Sequence, residues 1–282
     1  MDLRELSPDH RELLDSVRDS VGGRISDYSF SYLYIHRKAY NFRAAFDPLP
    51  FAAGETPDGL KYLMPLVELN RQNISLFQEI ARDTGAIFPV PEDKLPLFEN
   101  SSCRIEADPA DSDYIYSIEK LKYYRGRKLH GQKNLLNRFM KNHEYRAFAL
   151  SVENVMSARE VLDEWDAESP LTRDETDYNY CAEALGLIEK LGLTGYIFFV
   201  NGRPGGFITG EIINGDTFTV FFSKGLRKIR GIYQFMNNYT ALMMPENVNY
   251  FNFEQDMGIE GLRKSKLSYN PDYLLKKYRV IL

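Results

Sequence analysis

The chain has 282 residues, of which 44% are hydrophobic and 27% charged, and its formal net charge at pH 7 is −5. This composition is typical of a globular protein, and the acidic balance argues against a uniformly basic nucleic-acid-binding surface. Charged residues interrupt every apolar stretch that could span a membrane, and the N-terminus lacks the apolar core of a signal peptide. Two cysteines, and four histidines without metal-ligand spacing, predict neither a disulfide framework nor a metal site. We therefore expect a cytoplasmic protein without a metal.

Charge is segregated along the chain. Residues 119–146 carry nine basic against two acidic side chains, and residues 261–282 carry six against one. Between them, residues 153–189 carry eleven acidic against two basic side chains. Such segregation often marks an anion site on an acidic molecule, although solvated helix faces would give the same pattern.

The first half predicts a mixture of strands and helices. Ser7-Pro8 is a helix start signal, followed by a face of Leu13, Leu14 and Val17 that ends at Gly22-Gly23. Residues 28–46 alternate apolar and polar side chains, which predicts a strand. Strands are also expected at 61–66, 86–90 and 102–108, with a helix over 68–84 whose apolar positions are Leu69, Ile74, Phe77, Ile80 and Ala81. From Tyr114 the pattern predicts a helix that breaks at Gly126 and restarts near Gly131.

The second half has stronger signals. Strands are predicted at 145–150, 194–200, 205–213, 217–223, 248–254 and 273–282, and helices at 157–165, 176–191, 231–243 and 260–267. Asn201-Gly202 is a hairpin signal, and Asn214-Gly215 predicts a second tight turn. This order predicts an α+β fold with a mixed, mostly antiparallel sheet flanked by helices. The first half has a comparable order, which suggests a structural duplication.

Three segments could carry chemistry. In the first, SKGLRKIRGIYQFMNNYTA, a strand leads through a basic loop into a helix that begins at Gly231. Backbone N–H groups and basic side chains at a helix start suit a phosphate, so Lys224, Arg227, Lys228 and Arg230 are candidate contacts. An ordinary basic loop would look the same, and the Gly-Lys-Ser/Thr ending of a Walker loop is missing.

The second segment is NFEQDMGIEGLRKSKLSYNP, in which Glu254 and Asp256 follow a strand and precede a basic helix turn. These carboxylates could accept a proton from an amine, or form ion pairs that only fix the helix. The third segment, YYRGRKLHGQKNLLNRFMKNHEYR, interleaves basic and aromatic side chains, which suits phosphate contact and base stacking. A solvated amphipathic helix is the alternative.

These three segments together resemble soluble relatives of the C-terminal domain of phosphatidylglycerol lysyltransferase. The resemblance implies two tandem GNAT-like (acyltransferase) domains, expected at residues 1–144 and 145–282, that share a central cleft. In the membrane-bound enzymes this domain transfers an amino acid from charged tRNA to a lipid hydroxyl. Similar tandem folds in peptidoglycan-bridge enzymes transfer it to an amine.

The resemblance also implies a set of site residues. The expected catalytic residues are Glu254, Asp256 and Lys266. The expected donor or phosphate contacts are Lys224, Arg227, Arg230, Gly231, Tyr233 and Arg263. In the first-half helix, the cleft would be lined by Lys133, Asn134 and Asn137.

We expect an acyltransferase whose donor co-substrate is the acceptor end of a charged tRNA or an acyl-CoA. The acceptor is an unidentified amine or hydroxyl, and the resemblance allows peripheral contact with lipid head groups. Two alternatives stay open at this point. One is an acetyl-CoA-dependent N-acetyltransferase, and the other is a non-catalytic module that binds a nucleotide or a tRNA end.

Overall fold

The computed structural model describes residues 2–12, 14–15, 21, 23–99 and 101–282. Of the first predicted helix, Leu14 is buried, whereas Leu13, Val17 and Gly22 lie outside the described residues. A 3-10 helix at Pro8–His10 begins after Ser7, as the Ser-Pro signal predicts. The backbone N–H of Ser7 donates to His10 Nδ1 at 3.2 Å, and this hydrogen bond stabilises the start of the helix.

The described residues contain fourteen strands. They are β1 (Arg4–Glu5), β2 (Arg43–Ala45), β3 (Phe51–Glu55), β4 (Lys61–Pro65), β5 (Ala86–Val90), β6 (Arg104–Ala107), β7 (Asp113–Ser117), β8 (Tyr145–Ala149), β9 (Thr194–Val200), β10 (Arg203–Ile213), β11 (Thr217–Gly225), β12 (Tyr250–Asn252), β13 (Tyr273–Leu275) and β14 (Tyr278–Ile281). The α-helices are α1 (Phe30–His36), α2 (Ile74–Ala81), α3 (Ile118–Tyr123), α4 (His130–Asn142), α5 (Val155–Ala167), α6 (Tyr178–Gly186), α7 (Ile232–Met243) and α8 (Glu260–Ser268).

The chain forms two compact units. Unit 1 comprises residues 1–114, 254–263 and 274–282, and unit 2 comprises residues 115–253 and 264–273. The expected division at 144 and 145 falls inside unit 2, between α4 and β8. Sequence order alone does not reveal this partition, because the C-terminal segments return to unit 1 after unit 2 is built.

Unit 1 contains a seven-stranded sheet in the order β1-β2-β3-β4-β5-β14-β6. The pairs are antiparallel except for β4 with β5. The apolar face of α2 packs in this unit through Ile74, Phe77, Ile80 and Ala81, as its spacing predicts. The helix begins at Ile74 rather than Glu68, because Asn70 and Asn73 bond the backbone between them in a turn.

The second seven-stranded sheet has the order β13-β7-β12-β11-β10-β9-β8, and its long strands belong to unit 2. The predicted hairpin is present, with Asn201 and Gly202 at positive φ between β9 and β10. Helix α7 contacts β9, β10 and β11, and α5 contacts β10 and β11. Each sheet therefore combines a parallel pair with antiparallel pairs and carries helices, as the fold class predicts.

One prediction for the first half is wrong: residues 30–36 form helix α1, not a strand. The side chain of Ser29 accepts a hydrogen bond from the Tyr32 N–H at 3.2 Å and caps this helix. All residues from Phe30 to Ile35 are buried, so the segment has no exposed face to produce a helical period. Its many aromatic side chains mimic strand composition.

Two further corrections concern segment type. The pattern from Tyr114 predicts a helix, but residues 113–117 form β7, and α3 begins only at Ile118. The C-terminal segment is not one strand, because it divides at Lys276 and Lys277 into β13 and β14, which join different sheets. A continuous strand pattern does not show that change of sheet.

Candidate functional site

Strand β11 has a free edge in unit 2. Its register with β10 passes from Thr209 opposite Phe222 to Gly210 opposite Val220, so Phe221 is an extra residue, a β-bulge. On its other side β11 pairs in parallel with β12 only from Thr217 to Thr219. A bulge bends its strand, which explains why β11 and β12 part at this point. In the described part of the chain, the edge from Val220 to Gly225 therefore has no strand beside it on that side.

This free edge leads directly into the predicted anion loop. Backbone N–H and C=O groups that lack a neighbouring strand can bond an extended ligand or a carbonyl oxygen. The loop ends at Gly231, where φ is +90° and α7 begins. The first N–H groups of α7 and its positive dipole end face the same loop, as the sequence predicts.

Two of the loop's four basic side chains are paired with acidic side chains, and a third donates to a backbone carbonyl. Lys224 is 5% exposed, and its ammonium bonds Asp177 Oδ1 at 2.5 Å and lies 3.8 Å from the centre of the Trp165 ring. The backbone N–H of Arg227 donates to Glu168 Oε2 at 3.1 Å, whereas its guanidinium donates to the Glu168 backbone carbonyl at 3.3 Å.

Lys228 forms an ion pair with Glu164. The acidic segment 153–189 thus neutralises two of the four cations of this loop, which explains part of the charge segregation.

Arg230 is different from these three. It is exposed, and within the residues described it has no acidic partner. Gly231 is required by close packing, because a Cβ there would lie 2.4 Å from the carbonyl oxygen of Leu135 on α4. The Tyr233 hydroxyl donates to the Gly225 carbonyl at 3.1 Å and accepts from its N–H at 3.3 Å. Tyr233 therefore positions the start of α7 against the end of β11. Within the described chain, Arg227 and Arg230 are the loop cations without a carboxylate partner, and Arg230 also makes no hydrogen bond to a carbonyl.

Three buried hydroxyls of unit 2 are also available. Within the described chain, Thr219 and Ser223 of β11 and Thr240 of α7 have buried hydroxyl oxygens without a hydrogen-bond partner. Buried polar atoms are usually satisfied, so these hydroxyls are candidate ligand contacts. No feature of the sequence distinguished them from ordinary strand and helix residues.

The predicted cleft residues lie on α4. Gln132 and Phe139 form its face toward α7, where Gln132 accepts from Gln234 at 2.8 Å and the Phe139 ring lies 4.3 Å from that of Phe235. Lys133 and Asn137 are exposed on the side away from α7, and Asn134 is also exposed. They stay predicted contacts.

The two predicted strand-end acids occupy different environments in unit 1. Glu254 is half-buried, two residues beyond β12, with φ at +55°. Asp256 is fully buried and receives Arg263 in a bidentate pair at 2.8 and 3.0 Å. Its carboxylate also accepts the Tyr114 hydroxyl at 2.6 Å and the Gly258 N–H at 2.8 Å.

This environment keeps Asp256 ionised. Burial opposes the charge, but the hydrogen bonds from Arg263, Tyr114 and Gly258 outweigh it and hold the pKa of Asp256 below its ordinary value. A carboxylate with a low pKa and both oxygens bonded is a weak proton acceptor. Arg263 is correspondingly committed to Asp256. Lys266 lies on α8 in unit 2, and its carbonyl accepts the Tyr116 hydroxyl at 2.7 Å.

Sequence reasoning missed a buried ion cluster in unit 1. Lys277 has no exposed surface; it pairs with Asp27 and lies 2.7 Å from Asp113 Oδ1. Burial opposes its charge, but Asp113 and Asp27 raise the pKa of Lys277 above its ordinary value. Two residues later, Arg279 makes bidentate bonds to Asp111 at 2.7 and 3.0 Å.

Arg279 also bonds Asp58 at 2.6 and 3.1 Å. The bonds from Arg279 and Thr56 lower the pKa of Asp58 to about 2. A small cavity of about 30 Å³ adjoins this cluster and is lined by Asp27, Tyr32, Tyr40, Thr56, Pro57, Tyr62, Phe88, Ala110, Asp111, Gln255 and Met257. In the sequence, Lys277 and Arg279 are part of a basic segment, and no local pattern indicates their buried partners.

No cluster of His, Cys, Asp and Glu in the described part of the chain is arranged to bind a metal. None of its helices has both the length and the apolarity needed to cross a bilayer.

Comparisons with known proteins identify the family and the fold of this chain. The family model "Phosphatidylglycerol lysyltransferase, C-terminal" matches residues 18–281. A conserved protein of unknown function from Bacteroides thetaiotaomicron superposes with a TM-score of 0.86 at 27% identity, covering 100% of this chain and 99% of that one.

Two more distant structures show the fold. L-PGS from Bacillus licheniformis has a TM-score of 0.66 at 15% identity, with 99% of this chain and 92% of that chain covered. A tandem GNAT protein from the clavulanic acid biosynthesis pathway has a TM-score of 0.50 at 11% identity, with 99% and 97% covered. No curated protein matches the sequence.

The predicted resemblance and the tandem GNAT-like fold are both confirmed. The free edge of β11 and the loop before α7 lie within the matched residues. The chain belongs to the phosphatidylglycerol lysyltransferase C-terminal family, which has an acyltransferase-like fold.

Proposed function

We propose that this protein transfers an aminoacyl group from charged tRNA to an amine or hydroxyl acceptor. The observation that carries the proposal is the free edge of β11, which runs toward Arg230 and the start of α7. An extended acyl ester can bond to such an edge, and a phosphate can bond to an unpaired arginine. Family membership supports transferase chemistry at this position.

The proposed reaction needs little from the protein beyond positioning. The acceptor nitrogen or oxygen attacks the ester carbonyl carbon, and the bond from that carbon to the tRNA ribose oxygen breaks. A backbone N–H of the β11 edge stabilises the oxyanion that forms between these steps. Lys266 is a second proposed contact for this oxyanion. The acceptor loses its proton to a carboxylate, which passes it on to the departing ribose oxygen, so that the ribose oxygen leaves as a hydroxyl.

Glu254 is the better candidate for that carboxylate. Asp256, the other predicted acid, is occupied by Arg263, Tyr114 and the Gly258 N–H, and its lowered pKa makes it a poor base. We assign Asp256 and Arg263 to positioning the turn that follows Glu254.

Pairing within the loop favours a tRNA donor over coenzyme A. The side chains of Lys224 and Lys228 are already matched with acids, and the Arg227 guanidinium donates to the Glu168 backbone carbonyl, so among the described residues Arg230 is the loop cation least committed to the protein and offers itself to a phosphate. A tRNA end can obtain further phosphate contacts elsewhere, whereas coenzyme A depends on the loop itself.

Calorimetric titration of charged tRNA and of acetyl-CoA at one stated salt concentration tests the donor. We expect charged tRNA to bind with measurable heat. Arg230→Ala should lower its affinity about tenfold, since one charge-assisted contact is lost. Arg203→Ala removes an exposed arginine at the start of β10 and is the matched control, with affinity unchanged.

Binding of acetyl-CoA that Arg230→Ala abolishes would replace this proposal with the N-acetyltransferase alternative. Binding of charged tRNA with no transfer to any acceptor would favour a non-catalytic module.

A further inference from the structure

A basic pocket lies in unit 2, at the turn that joins α3 to α4. Its volume is about 400 Å³, and the charged and aromatic residues that line it are Glu119, Lys120, Tyr123, Arg125, Arg127 and Lys128. Four of these residues are basic and one is acidic, so the lining carries an excess of positive charge. None of them belongs to the loop before α7.

Three of the four cations are available to a ligand. Arg125, Arg127 and Lys128 are exposed, and no carboxylate in the described part of the chain pairs with them. Lys120 differs, because it pairs with Asp272 at 2.8 Å and donates to the Asn270 carbonyl at 2.6 Å. Glu119, the acidic lining residue, lies 3.6 Å from the ammonium of Lys122, a residue that does not line the pocket.

The pocket also offers an aromatic surface. The side chain of Tyr123 is 40% exposed, and the Arg125 guanidinium lies 4.4 Å from the centre of its ring. A tyrosine ring and a guanidinium plane are the two surfaces on which proteins stack unpaired bases. Cations beside a stacking surface match the alternation of phosphate and base in a single strand.

Buried anchors hold this turn in place. Tyr124 has no exposed surface, adopts φ +44°, and donates its hydroxyl to the Gln234 carbonyl on α7 at 3.1 Å. Leu129 is 3% exposed at the other end of the turn. With both ends fixed inward, the intervening Arg125, Arg127 and Lys128 remain at the surface in a preformed arrangement.

We propose that this pocket binds a single-stranded nucleic-acid end, with phosphates on Arg125, Arg127 and Lys128 and a base on Tyr123. The inference rests on the proposed function in one respect: the strand is the acceptor end of the donor tRNA. Helix α4 begins beside the pocket and touches Gly231 through Leu135, five residues or about 8 Å along its axis. One polynucleotide can therefore contact both places.

Fluorescence anisotropy with a labelled short single-stranded RNA, over a series of salt concentrations, tests the pocket without any transfer reaction. The double variant Arg127→Glu/Lys128→Glu should lower affinity at least about tenfold. Its plot of log affinity against log salt should be shallower by about 1.4, because each lost phosphate contact of a single strand contributes about 0.7. The matched control is Arg138→Glu/Lys141→Glu, which makes the same charge change toward the other end of α4 and should retain affinity.

Tyr123 provides a second, charge-independent arm. Tyr123→Ala should weaken RNA binding about fivefold or more, and Tyr123→Phe should restore it, because the ring and not the hydroxyl stacks on the base. Because all these side chains are exposed, each variant should unfold like the wild type, and this is checked before the titration.

Three results would overturn the inference. One is equal loss of affinity in the pocket and control double variants, which would show non-specific attraction. Another is RNA binding that no pocket variant changes. The third is pocket-dependent binding of phosphatidylglycerol vesicles in place of RNA. The RNA-binding assay contains no acceptor, so these results would not affect the test of the donor with Arg230. Conversely, intact RNA binding without aminoacyl transfer would contradict only the proposed function.

Discussion

Asp256 shows how one residue can look catalytic in sequence and be structural in its contacts. Its position after a strand is that of a general base, yet Arg263, Tyr114 and the Gly258 N–H fill its oxygens. The three donors come from three places in the chain and meet only in the folded unit 1.

Asp256→Asn should lower the free energy of unfolding at pH 7 by about 2 kcal/mol, because charge-assisted bonds are lost. The folded pKa of Asp256 lies below its ordinary value, so its stabilisation is present above about pH 4 and is lost as the pH falls through the folded pKa. Urea unfolding at pH 7 and near pH 2 measures this. The variant and the wild type should converge in acid, and an equal difference at both pH values would contradict the assignment.

Asp93→Asn is the control for this experiment. Asp93 is exposed and lies 3.7 Å from Lys94, a separation at which a surface ion pair contributes little. Its unfolding free energy should match that of the wild type at both pH values.

Glu254→Gln should lower turnover about 100-fold or more and leave the donor KM within about twofold, because a general base acts in the transition state. Steady-state transfer rates from charged tRNA measure this. The control, Glu246→Gln, changes an exposed acid and should not affect either constant. Unchanged turnover in Glu254→Gln would remove Glu254 from the mechanism.

At the scale of elements, amphipathic patterns were predicted well and fully buried ones were not. The apolar spacing of α2 and the Asn201-Gly202 turn predict their structures correctly. Helix α1 is buried around its circumference, so its sequence carries no period, and its aromatic residues suggested a strand. The cap at Ser29 is the local signal that could have identified it.

Ser29→Ala should cost about 1 kcal/mol or more of stability, because the Tyr32 N–H loses its acceptor in a buried environment. Thermal or urea unfolding detects this change. Ser102→Ala, at an exposed loop serine, is the comparison and should be neutral. Equal stability of both variants would show that Ser29 does not cap α1.

The candidate site was predictable as a location but not in its charge balance. The strand, loop and helix around Gly231 are where the sequence places them. The pairing of Lys224 with Asp177 and of Lys228 with Glu164 joins residues about 50 positions apart or more, and no local pattern reports it. The β-bulge at Phe221 was equally invisible, because the alternation of a mostly buried strand is weak.

At the scale of the whole molecule, the last residues complete unit 1. Strand β14 lies between β5 and β6 in its sheet, and it is flanked by Lys277 and contains Arg279. These two cations form ion pairs with Asp27, Asp113, Asp111 and Asp58. Residues 1–144 alone would hold the acids of this cluster without its cations.

A chain that ends at residue 272 should therefore fail to fold unit 1, because buried carboxylates without countercharges are strongly unfavourable. Hydrogen exchange should show protection lost in β3, β4 and β5. In the full chain, Lys277→Met keeps β14 and should still cost about 3–5 kcal/mol. Exposed Lys276→Met is its control. A stably folded fragment of residues 1–144 would contradict this account.

The most direct measurement of the central claim is transfer of a labelled amino acid from charged tRNA. The reaction would contain the full chain, phosphatidylglycerol vesicles and, separately, a peptide with a primary amine. The account predicts that the label leaves the tRNA and appears on one of these acceptors, with a rate that Arg230→Ala and Glu254→Gln both reduce. Label that stays on the tRNA, while acetyl-CoA acetylates the same amine at a rate dependent on Arg230, would contradict it.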